Sequence, residues 1–380
     1  MAGPLAGTAV IELAGLGAAP FCGMVLADLG AQVVRVDRTG DASGSHTVAS
    51  KHDALNRGKL SIAVDLKSAE GADVVLDLVA RSDVLIEGFR PGVAERLGVG
   101  PAECLSRNRA VVYGRMTGWG QDGPKANEAG HDINYIALAG ALAAIGSEHD
   151  PVPPLNLVGD FGGGGMLLAV GVLAGLLHSR ESGVGQVVDA AMVDGTSLLM
   201  ASTRGYMDGG DWTVARKSNL LDGGAPFYSV YRTSDGKHVA VGALETQFFA
   251  NLLSGLNISP DDLRPQHDRT GWDKMRARFA DEFAKRSRDE WDEHFSGLEA
   301  CVAPVLDMTE APRHPHSMAR TAFVETEGLS QPSPAPRFSV TAPEEPMEPS
   351  FPGRDTDSVL LSLGYTDVQI GKLRSAGAIG

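Results

Sequence analysis

Short runs of β-branched and aliphatic residues alternate with segments of helical length through roughly the first 120 residues, and this alternation decides what the chain can fold into. The runs "TAVIEL" (8–13), "AQVVRVD" (31–37), "SIAVDL" (61–66), "DVLIEGF" (83–89) and "RAVVYGRMTG" (109–118) have the length and composition of strands. Between them lie "APFCGMVLADLG" (19–30), "SAEGADVVLDLVARS" (68–82) and "PGVAERLGV" (91–99), which read as helices. A helix between two strands returns the chain to the end of the sheet where it began, so the strands must pair in parallel. The pattern predicts an α/β fold, with a doubly wound, Rossmann-like parallel sheet.

At 380 residues the chain exceeds what one compact core holds, and its character changes past residue 210. "GAPFYSVYRTSDGKHVAVGAL" (224–244) reads as a β-hairpin with an Asp-Gly turn, and helices rich in Trp, Phe and charge follow to about residue 298. We therefore expect a large Rossmann-like domain over 1–221, a smaller α+β domain over 222–312, and a segment 313–380 that returns to the large domain. That segment begins with a proline-rich connector, 330–352. Further helices are expected from His131 to about Ile145 and from about Gly162 to His178, with a strand and a long helix over "GQVVDAAMVDGTSLLMASTRGYM" (185–207).

A formal net charge of −15 lacks the basic footprint that nucleic acid or an anionic membrane requires. No unbroken stretch of 18 apolar residues is present, and the N-terminus has no signal-peptide pattern, so neither a membrane span nor secretion is expected. Cys22, Cys104 and Cys301 are odd in number and far apart, which fits neither a disulfide framework nor a zinc site. A reducing cytoplasm fits these cysteines best, and a cytoplasmic location is expected.

Several short motifs carry chemistry. "AGLGAAP" (14–20), with Asp37 closing the second strand, imitates a dinucleotide fingerprint but places Pro20 where the third glycine belongs, so it reads as a plain strand-to-helix turn. Arg38, Arg57, Lys59, Lys67, Arg90 and Arg96 all fall near strand ends or loops, where they can meet phosphates or remain ordinary solvated charge. In "AGHDINYIALAG" (129–140), His131 and Asp132 fall at a helix start. Asp132 suits an N-cap, and the free backbone N–H groups there suit an oxyanion. Asp160 in "LVGDFGGGG" (157–165) also reads as an N-cap, but four glycines inside a helix suggest backbone pressed close to a neighbour. Glu245 stands between a strand and a helix, where a helix-end charge is the plain reading.

Together, "NRGKLSIAVDLK", "DVLIEGFRPGVAERLG", "RMTGWGQDGP", "AGHDINYIALAG", "PLNLVGDFGGGG" and "GQVVDAAMVDG", in this order, resemble the family of class III CoA-transferases and α-methylacyl-CoA racemases. The resemblance spans essentially the whole chain and implies two interlocked copies forming a homodimer, with an acyl-CoA thioester as substrate, no separate cofactor and no metal. Transferases of the family use an aspartate at the position of Asp160 as nucleophile and usually lack the histidine of "GHDINY". The racemase branch resembles this chain more closely. It implies interconversion of (2R)- and (2S)-2-methylacyl-CoA through an enolate, with His131 and Asp160 as the acid/base pair on opposite faces of the α-carbon.

The same resemblance implies that the Asp132 N–H binds the enolate oxygen, that Glu245 orients His131 through its second ring nitrogen, and that Tyr135 lines the site. Arg38, Val64, Asp65, Leu66, Lys67, Gly88, Phe89, Arg90 and Arg96 would hold coenzyme A, together with Gly130, His131, Asp132, Ile133, Asn134 and Tyr135.

Overall fold

The structure is a computed structural model that describes residues 3–40, 52–326 and 328–380. Six parallel strands form its main sheet: β1 (Ala9–Leu13), β2 (Gln32–Asp37), β3 (Lys59–Ala63), β4 (Val84–Glu87), β5 (Val112–Thr117) and β6 (Val187–Ala191), in the order β3-β2-β1-β4-β5-β6. The expected α/β class and parallel sheet are therefore present. β4 and β5 are buried along their whole length, as strands with helices on both faces must be. Alternate side chains feed two cores. Ile11, Leu13, Val34, Val36, Ile62 and Leu85 face one side. Val10, Val33, Val84, Ile86, Val112 and Met116 face the other. Each such side chain contributes about 1.5–3 kcal/mol of burial energy.

Local differences from the sequence reading have local causes. β3 starts and stops earlier than "SIAVDL" suggests, because Val64 bridges to Ile379 and the Asp65 N–H donates to the Ala378 carbonyl (2.9 Å). A helix not anticipated, Pro101–Arg107, starts with proline in its first turn after Gly100. The helix expected from His131 to Ile145 is two: Asp132–Leu138 and Ala141–Ala144, parted at Gly140, whose φ of 86° is left-handed. The long helix expected after β6 is likewise broken into Met192–Leu199 and Ala201–Asp208.

A run of 26 helical residues, Leu157–Ser182, is long and apolar enough to cross a membrane by length and composition, with an 18-residue window of mean hydropathy 1.7. In the fold it serves as a helix of the sheet. A Cβ added to Gly175 would stand 2.8 Å from Val112, and one added to Gly171 would stand 2.6 Å from Val188, so these two glycines set the helix directly on β5 and β6.

The chain forms two compact units, one of Met1–Ala139, Pro154–Leu199 and Ala319–Gly380, the other of Gly140–Pro153 and Met200–Met318. Residues 140–153 and 200–221, expected in the large domain, group with the smaller unit. That unit is built on the antiparallel sheet β7 (Tyr228–Arg232), β8 (His238–Gly242) and β9 (Val302–Pro304). Helices Thr246–Gly255, Trp272–Phe283 and Arg288–Phe295 enclose an aromatic core with it, including Phe227, Tyr231, Phe249, Phe279, Phe283 and Trp291. In the large unit the C-terminal helices Thr356–Ser362 and Asp367–Ser375 add Val359, Leu360 and Ile370 to the sheet's core.

Candidate active site

Strand order reverses between β1 and β4, and in open α/β sheets ligands gather outside the carboxyl ends at that switch point. Arg38 follows β2, Val64–Lys67 follow β3, and Gly88–Arg90 follow β4, so three of the expected coenzyme A segments lie on this one edge. Arg38, Lys67, Gly88, Arg90 and Arg96 are exposed there, with Arg96 on the short helix Val93–Arg96. Arg57 and Lys59, the other basic candidates, are not available to a phosphate. Arg57 is buried in a pair with Asp28 (2.5 Å). The Lys59 ammonium is fully enclosed, donating to Glu12 (2.7 Å) and to the Pro20 carbonyl (2.9 Å).

His131 is the N-cap of its helix, with extended backbone and an exposed side chain, and its N–H donates to the Asn134 side chain (3.1 Å). Asp132 was expected as the cap but occupies the first helical position. Its buried carboxylate turns away and accepts the N–H of Asp160 at 2.7 Å, 28 residues along the chain. Gly159 makes this possible, since a Cβ there would lie 2.5 Å from the Asp132 carboxylate.

Asp160 is not an N-cap either. It lies inside a π-helical run, Leu157–Met166, that continues as the helix Leu167–Ser182. π-turns widen the helix and recur at functional sites. Asn156, just before the run, donates its side-chain N–H to the Asp160 carboxylate (3.0 Å). The turn after β1 closes on the same group, for a Cβ on Gly17 would meet the Asp160 carboxylate at 3.0 Å. Burial raises the Asp160 carboxyl above its ordinary range and the nearby charge of Asp132 adds to this, while Asn156 and His131 oppose it. The glycines after Asp160 are pressed against helices: Gly163 against Gly195 and Thr196, Gly164 against Ala18 and Met192, and Gly165 against Ala18 and Phe21.

Tyr135, one turn after His131, is clamped. A Cβ on Gly118 or on Gly130 would strike its ring at 2.0 Å or 2.7 Å, and Trp119 meets it edge-on. Burial raises the Tyr135 hydroxyl, with Asp160 also raising it and Arg90 opposing, so it stays protonated near neutral pH. The structure thus gathers His131, Asp132, Tyr135 and Asp160 beside the carboxyl ends of β1, β4 and β5. Glu245 is the N-cap of Thr246–Gly255 in the second compact unit. Asn156, Gly17 and Gly159 were not singled out from the sequence. The four-residue spacing of Asn156 and Asp160 in "NLVGD" was the available signal for the first. Among the described residues no group of three or more His, Cys, Asp or Glu side chains could hold a metal.

A sequence profile described as CoA-transferase family III matches residues 5–356. The chain belongs to CoA-transferase family III. It is 46% identical to the mouse protein "Alpha-methylacyl-CoA racemase" over 375 residues, covering 98% of this chain and 96% of that one. It is 43% identical to the human protein of the same name over 380 residues, with the same coverage. Among solved structures, a CAIB/BAIF family protein from Brucella suis shares the fold with a TM-score of 0.81 at 22% identity, covering 96% of this chain and all of that one. The six-stranded parallel sheet is thus a family architecture.

Proposed function

We propose that this family III chain is an isomerase, a 2-methylacyl-CoA racemase working by 1,1-proton transfer through an enolate. The observation that carries the reading is the Asp132–Asp160 hydrogen bond, which fastens the His131 segment to Asp160. Near-full-length identity to racemases supports the same reaction.

The α-proton of a thioester is weakly acidic, so its removal needs a base on one face and a donor on the other. His131 and Asp160 take these roles in turn: one accepts the proton, the electron pair moves into the thioester oxygen, and the other returns a proton from the opposite face. The raised Asp160 carboxyl suits a group that must hold a proton for part of the cycle. The Asp132 N–H, at the first turn of its helix, donates to the enolate oxygen.

Arg38, Lys67, Arg90 and Arg96 pair with the phosphates, while backbone at Val64–Leu66, Gly88–Phe89 and Gly130–Asn134 holds adenine and pantetheine. No further cofactor is required, coenzyme A being part of the substrate. We place the enzyme in the cytoplasm as an interlocked homodimer. Met166, Val170 and Leu177 on the helix after Asp160, with Leu198 and Leu199, are about half exposed or more, which suits burial against a second copy.

A transferase is the second reading. In it the Asp160 carboxylate attacks the thioester carbonyl, an acyl anhydride forms and coenzyme A leaves as the thiolate. The half-buried, Asn156-bonded carboxylate is compatible with that chemistry. One enantiomer of a 2-methylacyl-CoA in deuterium oxide, followed by NMR, separates the two. Deuterium entering the α-position with inversion, and with no acceptor acid present, is the expected result. Coenzyme A transfer to an added carboxylate without α-exchange would overturn it. In the His131→Ala variant, turnover falls about 10²–10⁴-fold with coenzyme A binding retained.

A further inference from the structure

Glu87 closes β4 with a carboxylate that is fully buried, and both of its oxygens are used. One accepts the backbone N–H of Phe89 at 2.6 Å, two residues ahead in the loop Gly88–Arg90. The other accepts Nε of Arg115 at 3.0 Å, from the residue facing it in the register of β5. Nη1 and Nη2 of Arg115 each donate to Glu95, at 2.9 Å and 3.4 Å. Glu95 belongs to the short helix Val93–Arg96, next to Arg96, and packs its stem where a Cβ on Gly100 would lie.

One guanidinium therefore joins a sheet carboxylate, which grips the loop, to a helix carboxylate, which grips the arginine-bearing turn. Fork geometry of this kind fixes orientation as well as distance, which a single lysine would not. Burying Glu87 together with Arg115 is costly by itself, and the pairing of both Glu87 oxygens offsets that cost. Neither Glu87, Arg115 nor Glu95 contacts the acid/base pair in the structure's hydrogen bonds, so what the cluster organises is the segment after β4.

We propose that Glu87, Arg115 and Glu95 form a positioning relay that holds Gly88–Arg90 and Arg96 in the conformation that receives the coenzyme A part of the substrate. The relay rests on the acyl-CoA reading above and deepens it. It acts on binding of the carrier and leaves proton transfer alone, so it affects KM and not kcat. Preformed phosphate and pantetheine contacts spare the loop an ordering cost on binding, and loss of the relay returns that cost.

The test uses the full chain with Glu95→Gln, at the more exposed end of the relay, and Glu87→Gln, which keeps an acceptor for the Phe89 N–H but loses the ion pair. Each variant raises KM for 2-methylacyl-CoA and the inhibition constant of free coenzyme A by about tenfold, with kcat for α-proton exchange within about twofold of the parent. Amide hydrogen exchange of the segment 88–96, measured without ligand, becomes faster in both. Should Glu87→Gln fail to fold, Glu95→Gln decides alone. Unchanged KM and inhibition constant, or a fall in kcat at constant KM, would sink the relay. A parent protein that binds no coenzyme A overturns the acyl-CoA reading instead, while unchanged exchange at 88–96 in the variants overturns the relay by itself.

Discussion

At the scale of single residues, the site depends on where two aspartates put their oxygens. The sequence pattern located His131, Asp132 and Asp160, but capping statistics do not tell the N-cap from the next position. They also give no sign of a partner 28 residues away, so Asp132 was read as serving its own helix when its carboxylate serves Asp160. Lys59 failed for a similar reason. Its partner Glu12 stands on another strand, and a buried pair looks like any solvated lysine in one dimension. Asp160 carries a testable consequence of its raised carboxyl. The folded state holds the proton more tightly than the unfolded state, so ionisation opposes folding. That opposition is absent below the ordinary carboxyl range, grows as pH rises toward the raised folded value, and is complete above it. Asp160→Asn, which keeps an acceptor for Asn156, therefore loses α-proton exchange yet melts higher than the parent at pH 7–8, with the gain vanishing near pH 3. Thermal melts across that range check this, and a variant less stable at every pH would refute it.

At the scale of elements, the π-helical run is the part least legible beforehand. The four glycines announced a close approach, which is what Gly163–Gly165 make, but the wider helical turn leaves no periodic mark in ten residues. The strands were easier, since two-sided burial demands continuous apolar runs. Their ends were not, because the edge at Val64 is set by pairing with Ile379 from the far end of the chain. The glycine contacts predict a graded outcome. Gly165→Ala would place its methyl 2.5 Å from the Ala18 carbonyl, where backbone must move, whereas Gly205→Ala meets nothing within 4 Å. The first costs about 1–3 kcal/mol and lowers kcat through displaced Asp160, while the second leaves stability unchanged or slightly raised. Denaturant unfolding of the two variants measures the difference.

At the scale of the whole molecule, alternation of strands and helices was enough to specify the parallel sheet, and its switch point brought together segments from residue 17 to residue 160. Composition could not divide the chain correctly, because the two compact units exchange segments more than once and no linker marks the crossings at 139/140 or 199/200. The homodimer reading belongs at this scale. Leu177 is 73% exposed and Val170 58% exposed on a helix whose other face, Leu168, Ala169, Val172 and Leu176, is core. The double variant Val170→Glu, Leu177→Glu shifts the sedimentation profile from dimer toward monomer at micromolar concentration. A parent protein that sediments as a monomer would remove the proposal.

The last residues of the sequence form a hem on the ligand edge of the sheet. Ala378 accepts the N–H of Asp65, Ile379 bridges Val64, and the Gly380 N–H donates to the Ala63 carbonyl (3.0 Å). Whatever is attached beyond Gly380 must leave from the rim of the proposed adenine cradle, so an affinity handle placed there would crowd the carrier's doorway. One placed ahead of Leu5, at the opposite end of β1, would hang clear of it.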